Sequence, residues 1–113
     1  MHELSLAINI IEQVSKSALD NSAKKIISIR LLLGPLSGVE EDALQFCFTE
    51  ACSGSIAEDC ALIIEKSPLV IRCQRCKKES EVLPSSLLCP VCNLGDIVVL
   101  SGKEFRIIDM EVE

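Results

Sequence analysis

Two pairs of cysteines, Cys73-x2-Cys76 and Cys89-x2-Cys92, constrain this chain more than any other feature of its 113 residues. Twelve residues separate the pairs, which is enough chain for two tight turns to meet around one tetrahedral ion. Zn(II) is the usual occupant of such a site, and four protein ligands leave no position for water. The pairs therefore predict a structural zinc site whose metal contributes folding energy to a segment with few apolar residues.

The cysteine pairs also admit a thiol redox pair or an iron–sulfur cluster. Two matched pairs in one short segment favour a single metal ion over both. Four thiolates around Zn(II) carry a net charge of about −2, so nearby cations are expected to offset it. The segment supplies four such cations: Arg72, Arg75, Lys77 and Lys78.

The three remaining cysteines are Cys47, Cys52 and Cys60. Cys47 falls on the apolar stripe of a predicted helix, where a thiol usually packs as a small hydrophobe, and we assign none of the three a function. The cysteine count is odd, and the sequence starts without the basic region and apolar run of an export signal. Both features favour reduced thiols and predict a cytoplasmic protein.

Hydrophobic periodicity predicts a helix-strand-helix-strand order followed by a last strand. An amphipathic pattern gives the first helix, and aliphatic runs give the strands. Ser37-Gly38-Val39-Glu40 has the form of a capping box and predicts the start of the second helix. The predicted bounds are 3–20 and 38–53 for the helices, and 26–33, 59–66 and 104–112 for the strands.

These elements predict the α/β (α+β) class: a small mixed three-stranded sheet backed by two helices, with an inserted zinc-ribbon-like domain that carries the four-cysteine site. The change of composition at Pro68 divides the chain into an α/β domain over 1–67 plus 103–113 and a zinc-binding domain over 68–102. Between the cysteine pairs we find no long amphipathic pattern, so metal rather than a core is expected to hold this segment.

The charge balance restricts the partners. The formal net charge is −6, and residues 1–67 hold five basic against ten acidic groups. Nucleic acids and anionic membranes require clustered cations, and single-stranded nucleic acid also requires stacking platforms that a chain without Tyr or Trp lacks. We therefore expect no nucleic-acid and no membrane partner. A zinc-ribbon module for nucleic acid or protein, and a CxxC thiol oxidoreductase, remain as alternatives.

The only histidine of the chain is His2. Its imidazole can bind one metal together with the terminal amine of Met1 and the backbone nitrogen between them. Nitrogen donors in a plane suit Ni(II) or Cu(II). The alternative interpretation is an arbitrary residue on a frayed terminus.

Several motifs together resemble the HypA/HybF family, the nickel-insertion accessory proteins of [NiFe] hydrogenase maturation. They are Met1-His2-Glu3-Leu4-Ser5-Leu6, the Leu-Ser-Gly-Val-Glu turn over 36–40, Gly54-Ser55-Ile56-Ala57-Glu58 and the two CxxC pairs. The resemblance covers essentially the whole chain.

The resemblance implies a nickel metallochaperone and no enzyme activity. Members pass Ni(II) to the [NiFe] hydrogenase large subunit with a HypB-type GTPase, and some also serve urease maturation proteins. We expect a monomer or a weak homodimer.

The resemblance also implies a nickel site at His2, with a backbone nitrogen of Glu3 and the terminal amine or backbone of Met1. Glu40 matches an acidic position near the nickel. Zn(II) would be held by Cys73, Cys76, Cys89 and Cys92. Relatives often have histidine directly after the fourth cysteine, whereas this chain has Asn93. Histidine-assisted exchange at the zinc site is therefore not expected, and any coupling between the two sites would have to pass through chain geometry.

Overall fold

The computed structural model describes residues 2–113, which form two helices and two three-stranded sheets. This arrangement, with a cluster of four cysteines, confirms the predicted fold class. The helices are α1 (His2–Asp20) and α2 (Glu41–Cys52). The strands are β1 (Ile26–Leu33), β2 (Ala61–Lys66), β3 (Val70–Cys73), β4 (Glu79–Glu81), β5 (Ile97–Ser101) and β6 (Phe105–Val112).

The first sheet has the order β2-β1-β6, with β1 in the middle. Lys25, just before β1, exchanges backbone hydrogen bonds with Glu113, just after β6, so these two strands run antiparallel. The N–H of Ser67, just after β2, donates to the carbonyl of Leu33 at the end of β1, so β1 and β2 run parallel. The parallel pair requires a crossover connection, which α2 provides. The sheet is therefore mixed, as predicted.

Arg30 ties the three strands of this sheet together on its polar side. Its guanidinium nitrogens lie 2.7 Å from Glu65 on β2 and 2.6 Å from Asp109 on β6. The two carboxylates, Asp109 first, raise the pKa of Arg30, and the guanidinium lowers the pKa of Asp109. The alternation of residues along β1 predicts that Arg30 lies on the face opposite the buried one. Its ion pairs with Glu65 and Asp109 agree with that prediction.

The hydrophobic core is aliphatic, with Phe48 as its one fully buried aromatic side chain among residues 2–113. The helical spacing of α1 predicts one apolar stripe: Leu4, Ala7, Ile8, Ile11, Val14 and Ala18. Of these, Leu4 is half-buried and Ile8 is 43% exposed, whereas Ile10, which the stripe did not include, is buried. On β1, Ile27 is likewise more exposed than its neighbours. The buried residues of these elements are Ala7, Ile10, Ile11, Val14 and Ala18 on α1, Ile26, Ile29, Leu31 and Leu33 on β1, and Leu44, Cys47, Phe48 and Cys52 on α2.

The capping box predicted at Ser37 is wrong. Gly38 has φ +79°, which lies outside the helical region, so the helix cannot begin before it. Glu40 is the N-cap instead, and its side chain accepts a 2.7 Å hydrogen bond from the backbone N–H of Ala43. The second helix therefore begins at Glu41 rather than at residue 38.

The second sheet, in the order β4-β3-β5 and antiparallel throughout, was not predicted. Its central strand buries Ile71, and Arg72 pairs with Glu79 on one side and Val98 on the other. The short aliphatic runs at 69–71 and 97–100 were the available signal. Polar residues flank these two runs and obscure the strand pattern, because only one face of so small a sheet is covered.

Contacts divide the chain into two compact units. The first, which we call the helical unit, comprises residues up to Leu31, Val39–Glu65 and Arg106–Glu113. The second, the cysteine unit, comprises Leu32–Gly38 and Lys66–Phe105. The predicted domain bounds, 1–67 plus 103–113 and 68–102, stay a prediction. Within residues 2–113, neither helix is long and apolar enough to cross a membrane.

Within the cysteine unit, Glu104 links Ser67, which precedes β3, to Ser101 and Gly102 at the end of β5. Its carboxylate accepts hydrogen bonds from the Ser67 hydroxyl (2.7 Å) and the Gly102 N–H (2.8 Å), and it lies 3.1 Å from the Ser101 hydroxyl. These donors, Ser67 first, lower the pKa of Glu104 to about 2. Gly34 packs its backbone directly against the carbonyl of Gly102, so a side chain there would collide with main chain.

We expect Glu104→Gln to lower the free energy of unfolding by about 1.5–3 kcal/mol, the usual contribution of hydrogen bonds to a charged group. Urea unfolding at neutral pH with zinc present measures the change. Glu111→Gln is the matched control, because Glu111 is exposed on β6 and its loss should change the stability little. Equal stabilities of the two variants would contradict the role assigned to Glu104.

Candidate metal centres

The four cysteines predicted to bind zinc lie together. Their Sγ atoms are all within 4.8 Å of one another, and those of Cys76 and Cys89 are 3.7 Å apart. A tetrahedron of thiolates around one Zn(II), with Zn–S of ~2.3 Å, places the sulfur atoms about 3.8 Å apart. The donors present therefore fit a single ion. An iron–sulfur cluster, which has several metal and sulfide atoms, would have to separate its cysteines further.

Each CxxC pair forms a turn that directs backbone N–H groups at its first sulfur. The Cys73 Sγ accepts from the N–H groups of Arg75 and Cys76 at 3.4 and 3.5 Å. The Cys89 Sγ accepts from the Cys92 N–H at 3.4 Å. Such donors stabilise thiolate sulfur, which is the form that binds metal.

The residue after each pair has a positive φ. Lys77 has φ 66° and Asn93 has φ 56°, and their N–H groups return to the carbonyls of Cys73 and Cys89 at 2.9 and 2.7 Å. Asparagine tolerates this left-handed conformation, whereas lysine does not favour it. Asn93 therefore suits the backbone conformation that this turn requires.

Lys77→Gly is expected to stabilise the zinc-bound protein by up to about 1 kcal/mol, because glycine adopts the left-handed conformation without a steric penalty. Lys78→Gly is the control. It removes the same charge at the next position, which has no positive φ, and should be neutral or destabilising. Thermal unfolding of the zinc-loaded variants measures both, and a Lys77→Gly protein less stable than Lys78→Gly would contradict the expectation.

The close approach of the four thiols shifts the pKa values of two of them in opposite directions. The Cys76 N–H is the main cause that lowers the pKa of Cys73 to about 7. The neighbouring thiols, Cys76 first, raise the pKa of Cys92 to about 12. Hydrogen bonds with these thiols favour the protonated form of Cys92, and a cation at the centre would take the place of that proton. The electrostatics of the cluster thus agree with its geometry in favouring a bound metal.

Four cationic residues lie within or next to the first cysteine pair. Within residues 2–113, no carboxylate lies within 4.0 Å of any of them. That they offset the negative charge of a zinc–thiolate centre stays a prediction. The four are Arg72, Arg75, Lys77 and Lys78.

Two of the predicted nickel ligands, His2 and Glu3, lie at the beginning of α1. His2 is the first helical residue and its side chain is 58% exposed. The Glu3 carboxylate lies 3.6 Å from the His2 Nδ1 and accepts a 3.2 Å hydrogen bond from the Glu40 N–H. The structure thus brings His2, Glu3 and Glu40 together, although 37 positions separate the last two. Met1 lies outside the described residues.

The Glu3 and Glu40 side chains each have an observed role. The Glu40 N–H is the main cause that lowers the pKa of Glu3, so the Glu3 carboxylate fixes the start of α1 against the start of α2. The Glu40 carboxylate already caps Ala43. The sequence predicted only a backbone role for Glu3 and did not predict this side-chain link, because no local pattern signals a contact between such distant residues.

The three unassigned cysteines belong to the helical unit. Cys47 and Cys52 are buried and Cys60 is half-buried. Burial raises the pKa of Cys52 to about 11, and burial also raises the pKa of Cys60. Neither Cys52 nor Cys60 is therefore activated as a nucleophile.

Comparison with known proteins shows the family. The model of a family described as hydrogenase/urease nickel incorporation, metallochaperone, matches residues 1–112. The chain belongs to the HypA family. A hydrogenase maturation factor HypA from Streptomyces avermitilis is 38% identical, with 100% of this chain and 88% of the relative covered. Another from Nitrosospira multiformis is 38% identical, with 99% and 97% covered.

Solved structures of HypA share this fold. A solution structure of a HypA protein superposes with a TM-score of 0.74 at 22% identity, with 100% of this chain and 97% of the other covered. The solution structure of the Ni metallochaperone HypA from Helicobacter pylori gives 0.66 at 20% identity, with 97% and 96% covered. Because the HypA family is one of hydrogenase-maturation metallochaperones, this HypA-family chain is not an enzyme, as predicted.

Proposed function

We propose that this HypA-family protein binds Ni(II) at its amino terminus and delivers it to the large subunit of [NiFe] hydrogenase with a HypB-type GTPase. The observation that carries the proposal is the meeting of His2, Glu3 and Glu40 at the start of α1, in a chain that belongs to a nickel-metallochaperone family. The proposed location is the cytoplasm, and the proposed state is a monomer or a weak homodimer.

The proposed nickel ligands are the His2 imidazole, the backbone nitrogens of His2 and Glu3, and the terminal amine of Met1. The first N–H groups of a helix have no acceptor within the helix, so those of His2 and Glu3 can be deprotonated by a metal without the loss of a helical hydrogen bond. Nitrogen donors of this kind favour planar Ni(II). Binding releases protons, so nickel affinity should fall as the pH falls.

Glu40 is a candidate for a further, weaker role near the nickel. One of its carboxylate oxygens is used as the N-cap of α2, so it can contribute only its other oxygen without loss of the cap. Its N–H bond to Glu3 supports a second role, in which Glu40 holds Glu3 and the start of α1 in place. Glu40→Gln keeps a side-chain acceptor for the cap and removes the negative charge, so it separates the two roles.

The proposed metal of the four-cysteine site is Zn(II), held by Cys73, Cys76, Cys89 and Cys92 with no open position. The spacing of the sulfur atoms supports this choice. Its proposed role is to fold the cysteine unit rather than to carry cargo. The family description also names urease, so urease maturation proteins are proposed as further partners in organisms that make urease.

The proposal is tested by nickel transfer between purified proteins. Chain loaded with radioactive nickel is mixed with the GTPase, GTP and metal-free large subunit, and nickel in the large subunit is counted after separation. The native chain should deliver nickel, and His2→Ala should not. Lys16→Ala, at an exposed position of α1, is the control and should behave as the native chain. Equal delivery by His2→Ala, or delivery that does not require the chain, would refute the proposal.

A further inference from the structure

The four clustered cysteines differ in their access to solvent. Cys73 and Cys89 are each 1% exposed, and Cys92 is half-buried, whereas Cys76 is exposed. Oxidation of a cysteine requires that the oxidant reach its sulfur. A small oxidant dissolved in water therefore meets Cys76 before it meets the other three cysteines of the cluster.

The charge of the neighbouring residues also distinguishes Cys76. Arg75 and Lys77 flank it in the sequence, and within the described part of the chain, residues 2–113, neither has a carboxylate within 4.0 Å. Reactive cysteines are found at partly exposed, electropositive positions, whereas buried ones are inert. The three cysteines outside the cluster are buried or half-buried. Cys76 is therefore the cysteine of this chain that is best placed to react with an oxidant.

Cys89 is placed to complete a disulfide with Cys76. Their Sγ atoms are 3.7 Å apart, so they must approach by about 1.6 Å to reach the ~2.05 Å of a disulfide bond. The Cys89 Sγ accepts one backbone N–H, from Cys92, whereas the Cys73 Sγ accepts two, from Arg75 and Cys76. The less restrained sulfur of Cys89, in the other CxxC pair, is therefore expected to react with Cys76 in preference to Cys73.

We propose that Cys76 is the oxidation site of the four-cysteine centre and that its oxidation links it to Cys89, across the two CxxC pairs, with release of the metal. The inference rests on the proposed Zn(II) site and adds the response of that site to oxidants. The disulfide removes two thiolate ligands. The two that remain, Cys73 and Cys92, are too few for a structural zinc site, which has four. Oxidation thus removes the metal that holds the cysteine unit.

Hydrogen peroxide is the oxidant of the proposed reaction. The Cys76 thiolate attacks one peroxide oxygen, an S–O bond forms, the O–O bond breaks and hydroxide leaves, which gives a sulfenic acid. The Cys89 thiolate then attacks the Cys76 sulfur, an S–S bond forms, and the S–O bond breaks with loss of a second hydroxide. Each hydroxide takes up a proton. In total, two thiolates, one peroxide and two protons give one disulfide and two waters, and the sulfur atoms supply the two electrons.

The first test treats the zinc-loaded full-length chain with a substoichiometric amount of hydrogen peroxide. Remaining thiols are blocked with N-ethylmaleimide, disulfide-linked peptides are mapped by mass spectrometry, and released zinc is measured with a chromogenic chelator. We expect the first disulfide to join Cys76 to Cys89, with one zinc released for each disulfide formed. A first disulfide between any other two cysteines, or a disulfide between Cys76 and Cys89 that leaves the zinc bound, would overturn the inference.

Histidine variants test the role of Cys76 by the rate of zinc release. Cys76→His keeps four metal ligands, since three cysteines and one histidine also form structural zinc sites, and it removes the exposed thiol. Zinc release by peroxide should then be slower by on the order of ten-fold, because oxidation follows exposure. Cys92→His is the matched control, since it makes the same change in the other pair and leaves Cys76 and Cys89, and it should release zinc at close to the native rate. Equal rates for the two variants would contradict the role of Cys76.

Failure of this inference is distinguishable from failure of the proposed function. Purified native chain without zinc would contradict the proposed metal site, whereas a zinc-loaded chain whose first disulfide excludes Cys76 contradicts only the oxidation site. The disulfide map of the native chain depends on neither histidine variant. The proposed nickel ligands include no cysteine, so nickel binding by the reduced chain is a separate measurement.

Discussion

Cys89→Ser is expected to abolish zinc binding and to unfold the cysteine unit. Cys89 is buried in the four-thiol cluster, and the sheet around that cluster is small. Structural zinc contributes about 10–16 kcal/mol in zinc-finger peptides, which is comparable to the ~5–15 kcal/mol that stabilises a whole domain. The free energy of folding lost with the metal should therefore exceed the free energy that the packing of β3, β4 and β5 contributes.

Metal analysis and amide hydrogen exchange measure this result. The native chain should hold one zinc and protect the amides of β3 and β5, and Cys89→Ser should do neither. Cys60→Ser is the matched control, since Cys60 is a half-buried thiol outside the cluster, and it should retain both. Purified native protein without zinc, or a Cys89→Ser protein with unchanged protection, would contradict the structural role of the site.

His2→Ala is expected to lower nickel affinity by more than about 100-fold. The side chain is the only imidazole in the chain, and changes of an outer-shell partner alone usually reduce metal affinity ~10–100-fold. Isothermal titration at neutral pH measures the affinity, and the absorption of planar Ni(II) reports the geometry. Glu12→Ala, at an exposed position of the same helix, should bind as the native chain does. A His2→Ala protein with native affinity would show that nickel is held elsewhere.

The helical unit was largely predictable from sequence because its elements are amphipathic or strongly aliphatic. The bounds of β1 were predicted correctly, and α1 was wrong by one residue at its start. The beginning of α2 was not predictable from the capping pattern. Ser37 and Glu40 have the correct spacing, but Gly38 adopts a positive φ, and a backbone conformation of this kind leaves little trace in a residue pattern.

The candidate sites were predictable to different degrees. The four-cysteine cluster follows from spacing, because two CxxC turns meet easily around one ion. The bonds of Glu3 to Glu40 and of Glu104 to Ser67 could not be predicted in the same way, since each joins residues 37 positions apart. The exposure of Phe46 follows from helical spacing, because the apolar stripe of α2 passes through Leu44, Cys47 and Phe48 and leaves Phe46 off that stripe.

The most direct test of the account is a nickel titration of the native chain beside one extended by a few residues before Met1. The extension keeps every side chain, including His2, and removes only the amino group that the proposed site requires. We predict that the native chain binds one Ni(II) as a planar complex and that the extended chain loses both the planar absorption and most of the affinity. Equal affinity and equal spectra for the two chains would contradict a nickel site built on the amino terminus.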